Sequence, residues 1–163
     1  ETYQFTIFIK EVGKEMTLKC GQRCTGARRI MVPENLLEDV QIALGRRLGG
    51  TVIGDPRAEG AMPDGRQVRI TMGALAGPTQ LREVREQLAK LMEGSELVYG
   101  DPEHVNVSGA DADKGAFMSP ILLLNSDPWK NQPVSYTHLR AHETVLDLVC
   151  RLLLEKKKIE ARR

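Results

Sequence analysis

No apolar run in this sequence approaches the roughly 20 residues that a membrane-spanning helix needs, so no membrane partner is expected. The opening E-T-Y-Q-F-T-I-F-I-K-E has neither an initiator Met nor a basic segment ahead of an apolar one, unlike a secretory signal peptide. It reads as a chain entered in its middle. Cysteine is scarce, three in 163 residues, which argues against a disulfide scaffold and suits a reducing, cytoplasmic setting. Cys20-x-x-x-Cys24 lacks the C-x-x-C spacing of zinc sites, and the nearest histidine is eighty residues further on at His104, so no metal site is expected. An excess of either charge is also missing: 23 basic residues face 22 acidic ones, net +1, and no nucleic-acid partner follows from that balance. G-x-G-x-x-G, the P-loop, internal repeats and low-complexity linkers are all absent from the sequence.

What is present is the composition of an ordinary soluble globular protein, 41% hydrophobic and 28% charged, with length for about one domain. The last thirty residues stand apart. At face value His138 and His142, at i and i+4 with Glu143 beside them, have the spacing of a helical zinc site, and L-V-C-R-L-L-L-E-K-K-K reads as a basic amphipathic helix. Back-translation gives another source. V-S-Y-T-H-L-R-A-H-E-T resembles the translated transposon adapter of short-read library preparation. In the same frame L-V-C-R-L-L-L-E resembles the flow-cell primer site, with the lysines as a run of A. Residues 134–163 are therefore expected to be a non-native, adapter-derived tail. Without them the remaining 133 residues carry 16 basic and 18 acidic side chains, net −2, and Cys20 and Cys24 are the thiols left.

Within residues 1–133, Phe5, Phe8, Ile9, Val12 and Met16 recur at helical spacing and predict a helix over about 4–19, with Gly21 at its left-handed C-terminal cap. Arg28-Arg29-Ile30-Met31-Val32 predicts a short strand closed by Pro33. Asn35 and Glu38 resemble a capping box opening a helix with apolar face Leu37, Val40, Leu44 and Leu48, ended by Gly49-Gly50. Thr51-Val52-Ile53 predicts the next strand, and 54–71 a loop whose centre, A-M-P-D-G-R-Q, reads as an insertion. Leu81, Val84, Leu88 and Leu91 mark a third helix over about 80–93, stopped by Gly94. Strands are expected at 96–99 and 117–124. Strand–helix alternation of this kind predicts an α/β layer with a largely parallel sheet. With its first strand coming only after a helix, it looks like a slice of a larger domain.

Cys20, at the end of the first helix, reads as a small buried hydrophobe. Cys24 lies in a sharp connection between that helix and a strand, where a nucleophile can be exposed. Gly21 and Gly26 allow unusual backbone angles and close approach by a substrate. Lys19, Arg23, Arg28 and Arg29 place positive charge nearby in sequence, which favours thiolate. On residues alone Cys24 is either a nucleophile or a plain loop cysteine.

The segment G-Q-R-C-T-G-A-R-R-I-M-V-P, residues 21–33, resembles the G-Q-x-C-T-A segment of the aldehyde dehydrogenases, with Cys24 at the position of the nucleophile and Arg29 at that of a common arginine. I-G-D-P (53–56), M-G-A-L (72–75) and F-M-S-P-I-L-L-L (117–124) resemble the family in order and rough spacing. The doubled Arg28-Arg29 before I-M-V-P is most similar to one branch, the dehydrogenase domain of the bifunctional ring-opening enzyme of phenylacetate degradation (oxepin-CoA hydrolase and semialdehyde dehydrogenase). The sequence departs from the family at Cys20, where a small residue is usual, at Gly26, where Ala is common, and in the lengthened A-M-P-D-G-R-Q loop.

The resemblance implies a fragment of a three-layer α/β catalytic domain over residues 1–133. It implies oxidation of a small-molecule aldehyde through a thiohemiacetal and a thioester on Cys24, with NAD or NADP as acceptor and a homo-oligomeric parent. The family's general-base glutamate, oxyanion asparagine and most of its nucleotide-binding domain belong to upstream segments, and its E-x-F-G-P-type segment would begin where the adapter-like string does. No cofactor-binding residue is therefore assigned, and the fragment itself is expected to be inactive. Two other readings stay open: a non-enzymatic α/β fragment or binding module with an inert Cys24, and a cysteine hydrolase with His104 as base. A solvated surface role is the plainer reading of that histidine.

Overall fold

The computed structural model describes residues 2–61, 65–126 and 151–157. Helix α1 spans Tyr3–Thr17 and is opened by Thr2, whose hydroxyl accepts the Phe5 N–H at 3.3 Å. Strand β1, Arg29–Pro33, leads through a 3-10 turn, Glu34–Leu36, into helix α2, Leu37–Gly49. The expected capping box is not formed. Leu36 is the N-cap, with no side-chain bond, because the 3-10 turn already satisfies the first amides, Leu37 N–H donating to Glu34 O. Glu38 and Asp39 instead place negative charge in the first turn, where the helix dipole favours it.

Strand β2 is only Ile53–Gly54, and the expected loop that follows is partly ordered. Strands β3, Glu59–Ala61, and β4, Gln67–Arg69, pair antiparallel as a hairpin, with Glu59 opposite Arg69. The A-M-P-D-G-R-Q stretch begins with the last residue of β3 and ends with the first of β4, and its turn-rich composition hid two short strands that carry little alternation. Helix α3 is Pro78–Met92, with Gly77 as N-cap and proline in its first turn. Strand β5, Glu96–Tyr99, precedes the short β6, Val107–Ser108, and β7, Ile121–Asn125, starts four residues later than the apolar run from Phe117 suggests.

Arg151–Lys157 form strand β8, so a helix across this stretch is overturned. Three successive leucines suit a strand paired on both sides as well as they suit a helix. The main sheet has the order β1-β8-β7-β5, parallel except for β5 against β7. A second parallel pair joins β2 to β6. Gly54 is needed there because a Cβ would overlap the backbone of Ser108. The α/β class and the largely parallel sheet are as expected.

Ile9, Val12 and Met16 of α1, Val40, Leu44 and Leu48 of α2, and Val84 and Leu88 of α3 share one core with Ile121, Leu122 and Leu123 of β7. The unbroken apolar run of β7 fits a strand buried on both faces. This core fixes the end of α1 against the start of β1, and the segment between them carries both of the described cysteines.

Candidate active site

The connection from α1 to β1 begins with a tight reversal. Lys19 (φ 53°), Cys20 (φ 55°) and Gly21 (φ 69°) are all left-handed. For Gly21 this is free of steric cost, whereas each side-chain-bearing residue in that region costs about 1–2 kcal/mol. The sequence pointed to Gly21 alone. Cys20 offsets its backbone strain by burial: its side chain is 1% exposed within the core. Burial pushes its thiol up to about 12, so it stays protonated and unreactive near neutrality.

Arg23 N–H donates to Gly21 O at 2.9 Å, and Gly26 N–H returns to Arg23 O at 3.2 Å. Cys24 and Thr25 are therefore the two central residues of a four-residue turn. Corner residues of such a turn point away from the chain they reverse, and Cys24 is exposed. The expected left-handed freedom at Gly26 is not used, since its φ is not positive. What Gly26 supplies is room: a Cβ there would meet Arg28 Nη1 at 2.6 Å.

Side chains anchor the turn on three sides. Gln22 Nε2 donates to Lys19 O at 3.1 Å and to Ala74 O at 3.4 Å, while its Oε1 accepts the Ala76 N–H at 3.0 Å. Buried Gln80 accepts the same Ala76 N–H at 3.0 Å. Arg23 pairs with Glu15 of α1 at 2.6 Å. Arg28 Nη2 donates to Gly21 O at 3.0 Å and to Arg23 O at 2.7 Å. The positive charge read from the sequence is thus partly committed: Arg23 to a carboxylate and Arg28 to two carbonyls. The anchoring bonds of Gln22, Arg28 and the 74–76 segment are what sequence reasoning missed. The hint available was an amide side chain two places before the cysteine, able to donate and accept at once.

His104 is placed elsewhere. It lines a cavity of about 540 Å³ between the end of α2 and the 99–108 segment, with Tyr99, Asn106 and Ser119, and Cys24 is not among the lining residues. Its side chain is 83% exposed and its Nδ1 lies 3.4 Å from Asp101. Asp101 is held below the usual carboxylate range chiefly by the backbone N–H groups of His104 and Glu103. His138, His142 and Glu143 lie outside the described residues. Among the described residues no three His, Cys, Asp or Glu side chains converge as metal ligands, and no helix is long and apolar enough to cross a membrane.

With this geometry in place, comparison with known proteins gives the class. The profile of the aldehyde dehydrogenase family matches residues 3–131. The chain belongs to the aldehyde dehydrogenase family. It is 37% identical over 123 residues to the 3,4-dehydroadipyl-CoA semialdehyde dehydrogenase of Aromatoleum evansii, covering 75% of this chain and 22% of that protein. The chain thus spans about a fifth of the length of that relative. The fold resembles aldehyde dehydrogenase C of Pseudomonas syringae, solved with NAD+ and octanal, with a TM-score of 0.67 at 22% identity over 95% of this chain and 28% of that one. It also resembles HpcC of Thermus thermophilus, with a TM-score of 0.68 at 21% identity over 94% and 27%.

Proposed function

We propose that residues 1–133 are the nucleophile-bearing part of an aldehyde dehydrogenase catalytic domain and that Cys24 is its nucleophile. The observation that carries this is the contrast between two neighbouring thiols. Cys20 is buried with its proton held, and Cys24 stands at the exposed corner of an anchored turn. In this reading the Cys24 thiolate attacks an aldehyde carbonyl carbon, forming a C–S bond while the π electrons move to oxygen. The oxyanion is held by backbone N–H donors beside Cys24, a contribution of about 3 kcal/mol per preorganised donor in enzymes of this kind. Oxidation of the thiohemiacetal gives a thioester, and water releases the acid. Sulfur suits both stages, as a strong nucleophile and as a good leaving group.

The NAD or NADP that accepts the electrons belongs to parts of the parent protein outside this chain. The described α-helices are N-capped by Thr2, Leu36 and Gly77, and none follows a glycine-rich turn of the kind that cradles a pyrophosphate. The chain alone is accordingly proposed to be inactive. The substrate class is proposed as a CoA-linked semialdehyde. Support for this is the activity named for the Aromatoleum relative together with the position of Cys24 in the family's motif. Cytoplasmic location and a homo-oligomeric parent complete the proposal. Residues 134–163 are proposed as an adapter-derived tail, a reading supported by a family match that stops at residue 131.

The test uses the complete parent enzyme. Cys24→Ser is expected to abolish aldehyde oxidation with cofactor affinity intact, because a hydroxyl is a far weaker nucleophile than even a few per cent of thiolate. Cys20→Ser is expected to keep most of the activity, at a packing cost of about 1 kcal/mol. An active Cys24→Ser enzyme would leave the cysteine inert and the motif without its function.

A further inference from the structure

We infer that Arg28 is a positioning residue, whose guanidinium holds the Cys24 turn in the shape that presents the thiol. This deepens the proposed function and rests on the reading of Cys24 as nucleophile.

The turn has two ends. Gly21 O closes the left-handed reversal that enters it, and Arg23 O closes the four-residue turn that contains Cys24. A single terminal nitrogen of Arg28 donates to both, at 3.0 and 2.7 Å, from the far side of the loop. Arg23 O also accepts the Gly26 N–H, so both of its lone pairs are engaged. Charge-assisted bonds to two carbonyls are stronger than neutral ones, and they join the start of the loop to the residue before the nucleophile. Arg28 is also the last residue before β1, whose Val32 is buried in the core. Two left-handed residues with side chains, Lys19 and Cys20, lie immediately before the carbonyl it grips. Loss of the clamp would let that strained reversal relax and move the corner. Lack of a Cβ at Gly26 leaves the space through which the guanidinium reaches.

The role is one of geometry, so the expected loss is in turnover and not in substrate binding. In the complete parent enzyme, Arg28→Met is expected to lower kcat about tenfold with KM within about twofold, since small misplacements of a reacting group cost rate steeply. The alkylation rate of Cys24 in the folded enzyme should fall by a comparable factor. Arg28→Lys, whose ammonium donates to the same carbonyls from a shorter stem, should recover part of the lost kcat. Wild-type kcat in Arg28→Met, or a loss confined to KM, would overturn the assignment. If Arg28→Met does not fold, Arg28→Lys carries the test: a few-fold lower kcat in folded enzyme supports the clamp, and an unchanged kcat removes it. Cys24→Ser is measured alongside. If it is dead while the Arg28 variants turn over normally, only the clamp falls; if it is active, the nucleophile reading falls and takes the clamp with it.

Discussion

The amide N–H of Ala76 donates to Oε1 of Gln22 at 3.0 Å, across fifty-four positions of sequence. Together with the bond from Gln22 Nε2 to Ala74 O at 3.4 Å, it pins the entrance of the Cys24 turn to the segment that precedes α3. Gln22→Glu keeps an acceptor for Ala76 but removes both side-chain donors. It is expected to cost about 0.5–1.5 kcal/mol of stability, measured by urea denaturation, and to lower turnover in the parent enzyme. A variant equal to the parent in both would show that the tether is idle.

The two described thiols should separate cleanly in a labelling experiment. Near pH 8, a limiting alkylating reagent followed by peptide mapping is expected to modify Cys24 first. Cys20 should react only after denaturant is added, since it is buried and its thiolate is suppressed. Equal labelling of both in the folded chain would contradict the site.

Burial of Cys20 also predicts an alkaline limb of stability. Its thiol is raised from 9.0 to about 12 in the fold, so above pH 9 the unfolded chain loses a proton that the folded chain retains. The unfolded state then binds fewer protons, and stability is full below pH 9 and falls as pH rises toward about 12. Complete, the loss is about 4 kcal/mol. Urea midpoints for Cys20→Ala between about pH 8 and pH 11 should show a flatter alkaline decline than the parent chain. Parallel declines would place the loss in other groups.

Nicotinamide-cofactor binding is expected to be absent from the 163-residue chain. None of the described helices opens from a phosphate-cradling turn, so titration calorimetry with NAD or NADP should show no saturable heat. Saturable binding would require a cofactor cradle within these residues.

The tail carries its own prediction. Genomic sequence read from a library made without the transposon adapter is expected to diverge within a residue or two of Val134 and soon to present an acidic residue followed by F-G-P. Recovery of V-S-Y-T-H-L-R-A-H-E-T from such reads would make the tail native, and strand β8 with it.

The helical cores were legible because their signal is local. Ile9, Val12 and Met16, then Val40, Leu44 and Leu48, then Val84 and Leu88 repeat at the period of the helix, and the fold buries each of them. The motif around Cys24 was equally readable, because a short segment between a helix and a strand keeps its residues adjacent in space. Short strands were less so. β3 and β4 are three residues each, too short to show an alternation of their own, and they are strands only by pairing with each other.

Residue order alone therefore determined the α/β class, the three helix faces and the family motif. Tertiary structure decided what holds Cys24 in place. Whether Arg28 presented charge to the thiol or gripped two carbonyls depended on side-chain direction, which sequence does not encode locally. Gln22 could meet Ala76 only after β2, the hairpin and the 70–76 segment had folded back upon the cysteine loop. Lys19 and Cys20 take left-handed angles against their own preference because burial of Cys20 and the bonds of Gln22 outweigh a local cost, and that balance exists only in the folded core.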